Sequence, residues 1–551
     1  MLSKAKAMMI GMVGASCVVG LLGIASVSAQ DSVAARLNHA EQIANYGKQL
    51  KANFGEKTRH FSNGAQMIVN LGERWGEIKP KLEKLMRQGL PNDQLNDQLN
   101  EIESALAPVN GSDPAQDNLT NFAGCTQSET SVAWFNTNAV VGFNDSGSFL
   151  STNLNPLPSG NFSFDGWARS ANANVAAPTF TDKGILAAAT PPGADFRDCF
   201  GDPVCRTSRI TTFYQATLGF DTIAGPDFSN VLVFKSTDGG NTFPTSAAAA
   251  ARDATADFLD KPEMDVKSGA GDDADKVYVV YTHFSAGPTA IEVVRSLNGG
   301  VTWGAPIVIG NGGDFVQFSH VVARPGTEKV YVAWEQFNAD GTRQLKMRVS
   351  SDAGATYGPE KIIGPVSPSG DGIPLDFLQG TLRAGMEFGG FAVNPANGHL
   401  YAMYHAGTVT SPDAFGDGNL YRYADIFFRK SADEGTTWSA PVRVNNDPVK
   451  GKIDQFQPCL AVTNNGAKIG AIFYDRRNSG GQNYNMKLFF AGSTNEGATW
   501  TNSARSGLFA PTVAAQNDFL VNPTYMGDYN SPAADKSGRS EEHTSELQSQ
   551  R

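Results

Sequence analysis

The sequence predicts an all-β fold, a β-propeller of six or seven blades preceded by an α-helical segment. Three observations predict it. An eight-residue pattern ending in an aromatic residue recurs five times: Ser236-Thr-Asp-Gly-Gly-Asn-Thr-Phe243, Ser296-Leu-Asn-Gly-Gly-Val-Thr-Trp303, Ser350-Ser-Asp-Ala-Gly-Ala-Thr-Tyr357, Ser431-Ala-Asp-Glu-Gly-Thr-Thr-Trp438 and Ser493-Thr-Asn-Glu-Gly-Ala-Thr-Trp500. Their starts lie 60, 54, 81 and 62 residues apart. Two short apolar runs precede most copies, and helical periodicity is confined to the N-terminal part. The chain has 551 residues, net charge −11, 58 glycines and only 18% charged residues, a mix suited to many turns and short strands. With 44 basic against 55 acidic residues and no basic run, it lacks the clustered cations that a nucleic-acid partner requires.

Residues 1–29 read as a secretory signal. Lys4 and Lys6 precede an apolar run, and Val27-Ser28-Ala29 is a small-residue cleavage site. The expected product is secreted or periplasmic, with no membrane span once the signal is removed, because no later stretch reaches spanning length. Residues 30–107 form the expected helical module. Leu71, Trp75, Ile78 and Leu82, and again Leu95, Leu99, Ile102 and Leu106, recur at +4, +7 and +11. Such stripes pack on one another or on the next domain, or dock a protein partner. Residues 108–120, with Pro108, Gly111 and Pro114, read as a linker.

The propeller is expected over residues 121–538. Each repeated octapeptide is a hairpin turn: its Asp or Asn caps backbone donors, Gly takes a conformation closed to other residues, and the aromatic packs between sheets. Ahead of the turns come Pro262-Glu-Met-Asp-Val266 with Val277-Tyr-Val-Val-Tyr281, Ser319-His-Val-Val-Ala323 with Val330-Tyr-Val-Ala-Trp334, Gly390-Phe-Ala-Val393 with Leu400-Tyr-Ala-Met-Tyr404, and Pro458-Cys-Leu-Ala-Val462 with Ile469-Gly-Ala-Ile-Phe-Tyr474. Two strands before each turn, one into it and one out of it make a blade. Six repeats follow if residues 131–180, with a degenerate turn near Ser170, and residues 203–243 are the first two. Residues 526–529 either close blade one or open a seventh. Residues 539–551 include RSEEHTSELQS, which reads as a translated sequencing adapter and leaves the propeller C-terminally truncated.

Four cysteines follow the signal, an even number in an exported chain. Cys199 and Cys205 enclose a short loop and are the natural first disulfide, leaving Cys125 with Cys459.

The Ser-x-Asp-x-Gly-x-Thr-aromatic segments look like Asp boxes, also called bacterial neuraminidase repeats. With Gln127-Ser-Glu-Thr-Ser-Val-Ala133, Tyr474-Asp-Arg476 and Met526-Gly-Asp-Tyr529, they make the propeller region similar to exported bacterial sialidase-like β-propellers. Such folds host many activities. The resemblance implies a carboxylate-holding set of arginines, a tyrosine nucleophile paired with a glutamate, and an aspartate acid/base.

Topology locates the face where these would meet. The octapeptide turns and the hairpins between the first two strands share one face; the residues before each innermost strand and after each second strand gather at the opposite channel mouth. Glu129, Asp145, Asp202, Glu387, Asp475 and Tyr529 are the candidate catalytic residues there, Tyr529 with Glu387 as nucleophile pair and Asp145 or Asp202 as acid. Arg383, Arg476, Arg477, Glu335 and His320 are candidates for holding substrate. The family's Arg-Ile-Pro segment is absent, since Thr211 follows Arg209-Ile210. No cofactor or metal is expected: metal-protease, serine-hydrolase and phosphate-loop motifs are missing, and Gly271-Asp-Asp-Ala-Asp275 reads as a solvated turn. Two functions follow, glycoside hydrolysis at the channel mouth, sialosides included, or a non-catalytic propeller that binds glycans or proteins at the cell surface.

Overall fold

The computed structural model describes residues 29–88, 127–146, 161–175, 177–223, 227–368, 373–375, 380–382, 385–412, 420–448, 452–480, 485–509 and 526–537. The signal, the linker, the second leucine stripe, Cys125, Arg383 and the adapter therefore lie outside the described residues.

Three helices come first, α1 (Ala29–Phe54), α2 (Asn63–Glu73) and α3 (Trp75–Gln88). The stripe Leu71, Trp75, Ile78 and Leu82 is buried as its spacing requires, but it does not lie on one continuous helix. The chain leaves helical geometry at Arg74, at φ −106° and ψ 12°, and α3 starts afresh. α1 and α2 touch backbone to backbone at Gly47 and Gly72; a Cβ on Gly47 would stand 2.0 Å from the Ile68 carbonyl oxygen. Only glycine permits that approach.

Six four-stranded antiparallel blades follow. Blade one holds β1 (Gln127–Phe135), β2 (Asn138–Asp145), β3 (Asp165–Ser170) and β4 (Thr181–Ile185). Blade two has a split inner strand, β5 (Ala194–Cys199) and β6 (Val204–Arg209), then β7 (Thr212–Ile223), β8 (Phe228–Ser236) and β9 (Thr245–Asp253). Blade three holds β10 (Asp257–Lys267), β11 (Lys276–Ser285), β12 (Ala290–Ser296) and β13 (Ile307–Gly310), and blade four β14 (Phe315–Ala323), β15 (Val330–Phe337), β16 (Arg343–Ser350) and β17 (Lys361–Val366). A two-stranded hairpin, β18 (Ile373–Leu375) with β19 (Gly380–Leu382), precedes blade five, which holds β20 (Gly390–Val393), β21 (Leu400–Pro412), β22 (Leu420–Ser431) and β23 (Val442–Arg443). Blade six holds β24 (Gln455–Val462), β25 (Ile469–Asp475), β26 (Lys487–Ser493) and β27 (Thr501–Ala504).

The five octapeptides fold alike, between third and fourth strands. In the blade-four copy the Ser350 hydroxyl donates to Asp352 Oδ1 (2.7 Å), the Gly354 amide to Ser350 Oγ (2.8 Å) and the Thr356 amide to Asp352 Oδ1 (2.9 Å). The other four copies repeat these bonds. The fifth residue is always a glycine with φ between 76° and 84°, and its missing Cβ lets the preceding blade pack close, as where Phe428 would lie 2.1 Å from a Cβ on Gly497. Blade one has an enlarged version in which Asn172 accepts from the Thr179 amide at 2.9 Å. Cations just before the serines tie one blade to the next: Arg169 donates to the Gly239 carbonyl (2.8 Å) and Arg295 to that of Ala353 (2.7 Å).

Residues 526–537 settle the blade count. They run beside β1, with the Ser531 amide on the Thr130 carbonyl (2.8 Å) and that of Lys536 on the Trp134 carbonyl (3.1 Å), while Asn530 reaches the Tyr474 hydroxyl of blade six (2.9 Å). They stitch the last blade to the first.

The expected Cys199–Cys205 disulfide is not formed; Cys199, Cys205 and Cys459 are free thiols. Both of the first two pair with β7 along one edge, Cys199 opposite Gly219 and Cys205 opposite Gln215. Four residues of strand separate them by about 13 Å, beyond the roughly 7 Å between Cα atoms that a disulfide spans. Burial pushes the Cys205 thiol up to about 12.

The helical module shares a hydrophobic core with blades one to three, through Phe162, Phe164, Phe200, Phe220, Phe258 and Phe284. Its described apolar face thus packs on the propeller, the first of the two expected arrangements, while the second leucine stripe lies outside the described residues. No helix among the described residues is long and apolar enough to cross a membrane.

Candidate functional site: the channel mouth

Inner strands open at the end opposite the octapeptide turns, and five of the six carry the same irregularity there. Glu129, Asp202, Lys261, Phe318 and Gln457 have φ between 50° and 60°. Four of these sit at register shifts in β1, β10, β14 and β24; Asp202 lies in the break between β5 and β6. Left-handed backbone at a residue other than glycine costs on the order of 1 kcal/mol. Repeating it in five blades sets one such residue at the mouth end of each of their inner strands.

Around blades one to three these side chains form a buried polar centre. Glu129 accepts from Asn144 Nδ2 (2.9 Å) and from the Asp528 amide (2.7 Å), and the Asp202 amide donates to Asn144 Oδ1 (2.8 Å). Lys261, with no exposed side-chain surface, places Nζ 3.5 Å from Glu263 and 3.8 Å from the centre of the Tyr529 ring. Burial would raise the Glu263 carboxyl, but Lys261 and Arg206 outweigh it and the group is held below its usual range. Asp202 goes the other way: burial, helped by Asp260, raises it to about 7. Asp165, first residue of β3, is likewise raised by burial to about 7 while accepting from Thr217 Oγ1 (2.8 Å) and the Gly201 amide (2.9 Å).

Asp165 yields a direct prediction. Its proton is held more tightly when folded than unfolded, so its stabilising contribution is complete below pH 3.8 and is lost as pH rises through about 7. Asp165→Asn, fixed in the neutral form, is expected to raise stability at pH 8 by on the order of 2 kcal/mol and to gain little at pH 5, measured by urea unfolding at both values.

The second group lies between blades four and five. Glu335 on β15 and Glu387 ahead of β20 are both buried, each within reach of the other's charge, and Arg343, first residue of β16, forms an ion pair with Glu387. Burial, then the Glu387 charge, push Glu335 well above its usual 4.5. Burial would raise Glu387 too, but Arg343 and His405 hold it low. His405 is driven by burial down to about 4 and is neutral. The two carboxyls are thus pushed in opposite directions, Glu335 up and Glu387 down. The Arg343 guanidinium lies 4.8 Å from the Phe337 ring, which stacks on Phe315 at 4.1 Å, so a flat aromatic pair borders the cation.

The structure thus brings Glu129, Asp202 and Tyr529 together, and separately Glu335 and Glu387. His320 lies between, its Nε2–H donating to the Phe388 carbonyl oxygen at 2.9 Å with that residue's ring edge-on, and burial lowers it. Tyr529 is not arranged as a nucleophile. Its hydroxyl donates to the Pro203 carbonyl at 3.0 Å, and burial, reinforced by Glu129 and Asp202, raises it well above 10. Asp475, Arg476 and Arg477 are engaged at blade six and its junction with blade five: Arg477 grips Asp475 at 2.7 and 2.8 Å and donates to Asn446 Oδ1 at 2.6 Å, and Arg476 is wholly buried over Phe456, 3.8 Å from Asp454. Asp145 is half-buried, its amide on the Phe164 carbonyl (2.6 Å). Among the described residues no cluster of His, Cys, Asp or Glu could hold a metal ion, and Asp275 of the acidic hairpin is engaged by Arg209 (2.7 Å) and Tyr214 (2.9 Å). Arg343 and Asp165 escaped the sequence reading. Both begin the third strand of a blade, a position that also faces the mouth.

No protein-family model and no curated protein matches the chain. Solved structures that resemble it include an ulvan lyase of a polysaccharide lyase family, at 10% identity and TM-score 0.42 over 70% of this chain and 86% of that one. A Hadza microbial sialidase matches at 14% identity and TM-score 0.35 over 68% and 73%. The α-L-arabinofuranosidase of Fusarium graminearum, solved with arabinobiose, matches at 10% identity and TM-score 0.39 over 72% and 96%.

Proposed function

We propose that this chain is an exported carbohydrate-acting propeller whose working site is the channel mouth at blades four and five, where it hydrolyses a glycosidic bond. The observation that carries the reading is the buried Glu335–Glu387 pair with Arg343 paired to Glu387 alone, an arrangement that pushes the Glu335 carboxyl up and holds that of Glu387 down. Environments that push two carboxyls apart in this way are what acid catalysis at neutral pH requires. The Phe315–Phe337 pair offers an apolar face for a sugar ring, and Arg343 beside it a fork of donors for hydroxyl or carboxylate oxygens. In this reading Glu387 orients and charges the site and Glu335 supplies the proton.

Sialoside hydrolysis is the finer version. It needs arginines clear to grip a carboxylate, and Arg476 and Arg477 are engaged with Asp454 and Asp475. A non-catalytic glycan binder is the second reading, favoured by the ion pair that ties Glu387 to Arg343 and by the full burial of Glu335. A panel of aryl glycosides, α-sialoside included, decides among them. Release from any one member supports hydrolysis, and release from the sialoside supports the finer version. Glycan binding without release from any member establishes the binder.

A further inference from the structure

Ser62 is the N-cap of α2, and it reaches into the polar centre of the mouth. Its amide donates to Asp260 Oδ2 at 2.9 Å, and its hydroxyl, which accepts from the Ala65 amide at 3.5 Å, lies near enough to Asp202 to favour that carboxyl's ionised form. Ser62, Asp202, Asp260 and Lys261 all have zero exposure, although the last three belong to strand openings at the end of a channel. Around this contact lies an aromatic belt. Phe61 packs between Phe258 (4.8 Å between centroids) and Phe284 (4.7 Å), Tyr46 stacks on Phe220 (4.2 Å), and His39 binds Asp198 at 2.9 Å. Phe258, Phe284 and Phe220 lie at the mouth ends of β10, β11 and β7, so the module sits on the mouth face and not on the octapeptide face.

The chemistry at the tip is that of a ligand. An N–H donated to one carboxyl with a hydroxyl set beside a second resembles what adjacent hydroxyls of a sugar would offer, and the first turn of a helix adds its partial positive charge. The strained backbone at Glu129, Asp202 and Lys261 is maintained beneath a cover that hides it. We infer that the helical module is an autoinhibitory cap, with Ser62 seated on Asp202 and Asp260 in place of a ligand, so that the blade one-to-three half of the mouth is closed until the module is displaced. Its ligand side rests on the carbohydrate reading; its occlusion of the mouth does not.

Ser62→Asp tests it. A third carboxylate against Asp202 and Asp260 repels the tip while leaving every propeller residue in place. Carbodiimide coupling at Glu129, Asp202 and Asp260, mapped by mass spectrometry, is expected to rise about tenfold over the wild type, with hydrogen exchange in α2 rising in parallel and β15 and β25 unchanged. Ser62→Asn, which keeps a capping side chain and the amide, is expected to stay closed. Equal coupling in Ser62→Asp and wild type overturns the inference, as does a rise in exchange across β15 and β25 together with α2, which would make module and propeller one cooperative unit. Binding to a glycan array completes the experiment. Stronger binding by the opened variant supports the whole inference; an opened mouth that binds no glycan sinks the carbohydrate reading and leaves the cap.

Discussion

Lys261→Met is expected to be among the most damaging single substitutions in the propeller, costing about 3–5 kcal/mol at pH 8, the range found when one partner of a buried ion pair is removed. The ammonium has no exposed surface, stands 3.5 Å from Glu263 and lies on the Tyr529 ring. It is also among the groups that restrain the rise of Asp202. Without it, Glu263 keeps only Arg206 as a close cation, at 3.0 Å, and Asp202 and Asp260 face each other with the attraction gone. Methionine fills nearly the same volume and adds no polar atom, so the loss is electrostatic and not steric. The sign with pH follows from Asp202. Raised to about 7, it is ionised at pH 8 and protonated at pH 5, so the penalty should shrink as pH falls between those values. Urea unfolding of wild type and variant at both pH values measures it. A penalty that is equal at pH 5 and pH 8 would show that lost packing, and not stranded carboxylates, is responsible.

The fold was legible because its signal is local and repeated. Each octapeptide specifies its own turn through three hydrogen bonds made within eight residues, and the runs beside it alternate as strands must. Position along the chain then fixed the face on which Glu129, Asp202, Glu335 and Glu387 would appear. What stayed hidden was long-range. Whether Tyr529 meets Glu387 or the Pro203 carbonyl depends on how residues 526–537 run from blade six to blade one, and nothing in the neighbouring sequence states it. The cysteines misled for a related reason: a short loop in sequence became a split strand laid along β7, where six residues of separation are spent on extension. Ser62 carried no signal, since a serine before a helix reads as a cap and its second role exists only once the module is docked.

The split between Glu335 and Glu387 is where the proposed chemistry is most exposed to disproof. Glu335→Gln is nearly isosteric with the protonated glutamic acid that burial and the Glu387 charge favour, so the neutral group and its shape survive while its transferable proton does not. If Glu335 supplies the proton to a leaving group, hydrolysis of the best aryl glycoside should fall by about 10²–10⁴, the usual weight of a positioned acid. Stability should move the opposite way. A carboxyl raised above its unfolded value of 4.5 gives its full stabilisation below that value and loses it as pH climbs through the folded value. Glutamine cannot lose that proton, so the variant should equal the wild type in mild acid and surpass it on the alkaline side. Glu387→Gln offers the contrast, because it strands the Arg343 guanidinium and should cost stability as well as activity. Activity lost with stability retained in Glu335→Gln separates a proton donor from a structural role; activity unchanged in both variants would remove the pair from the chemistry and leave the mouth a binding surface.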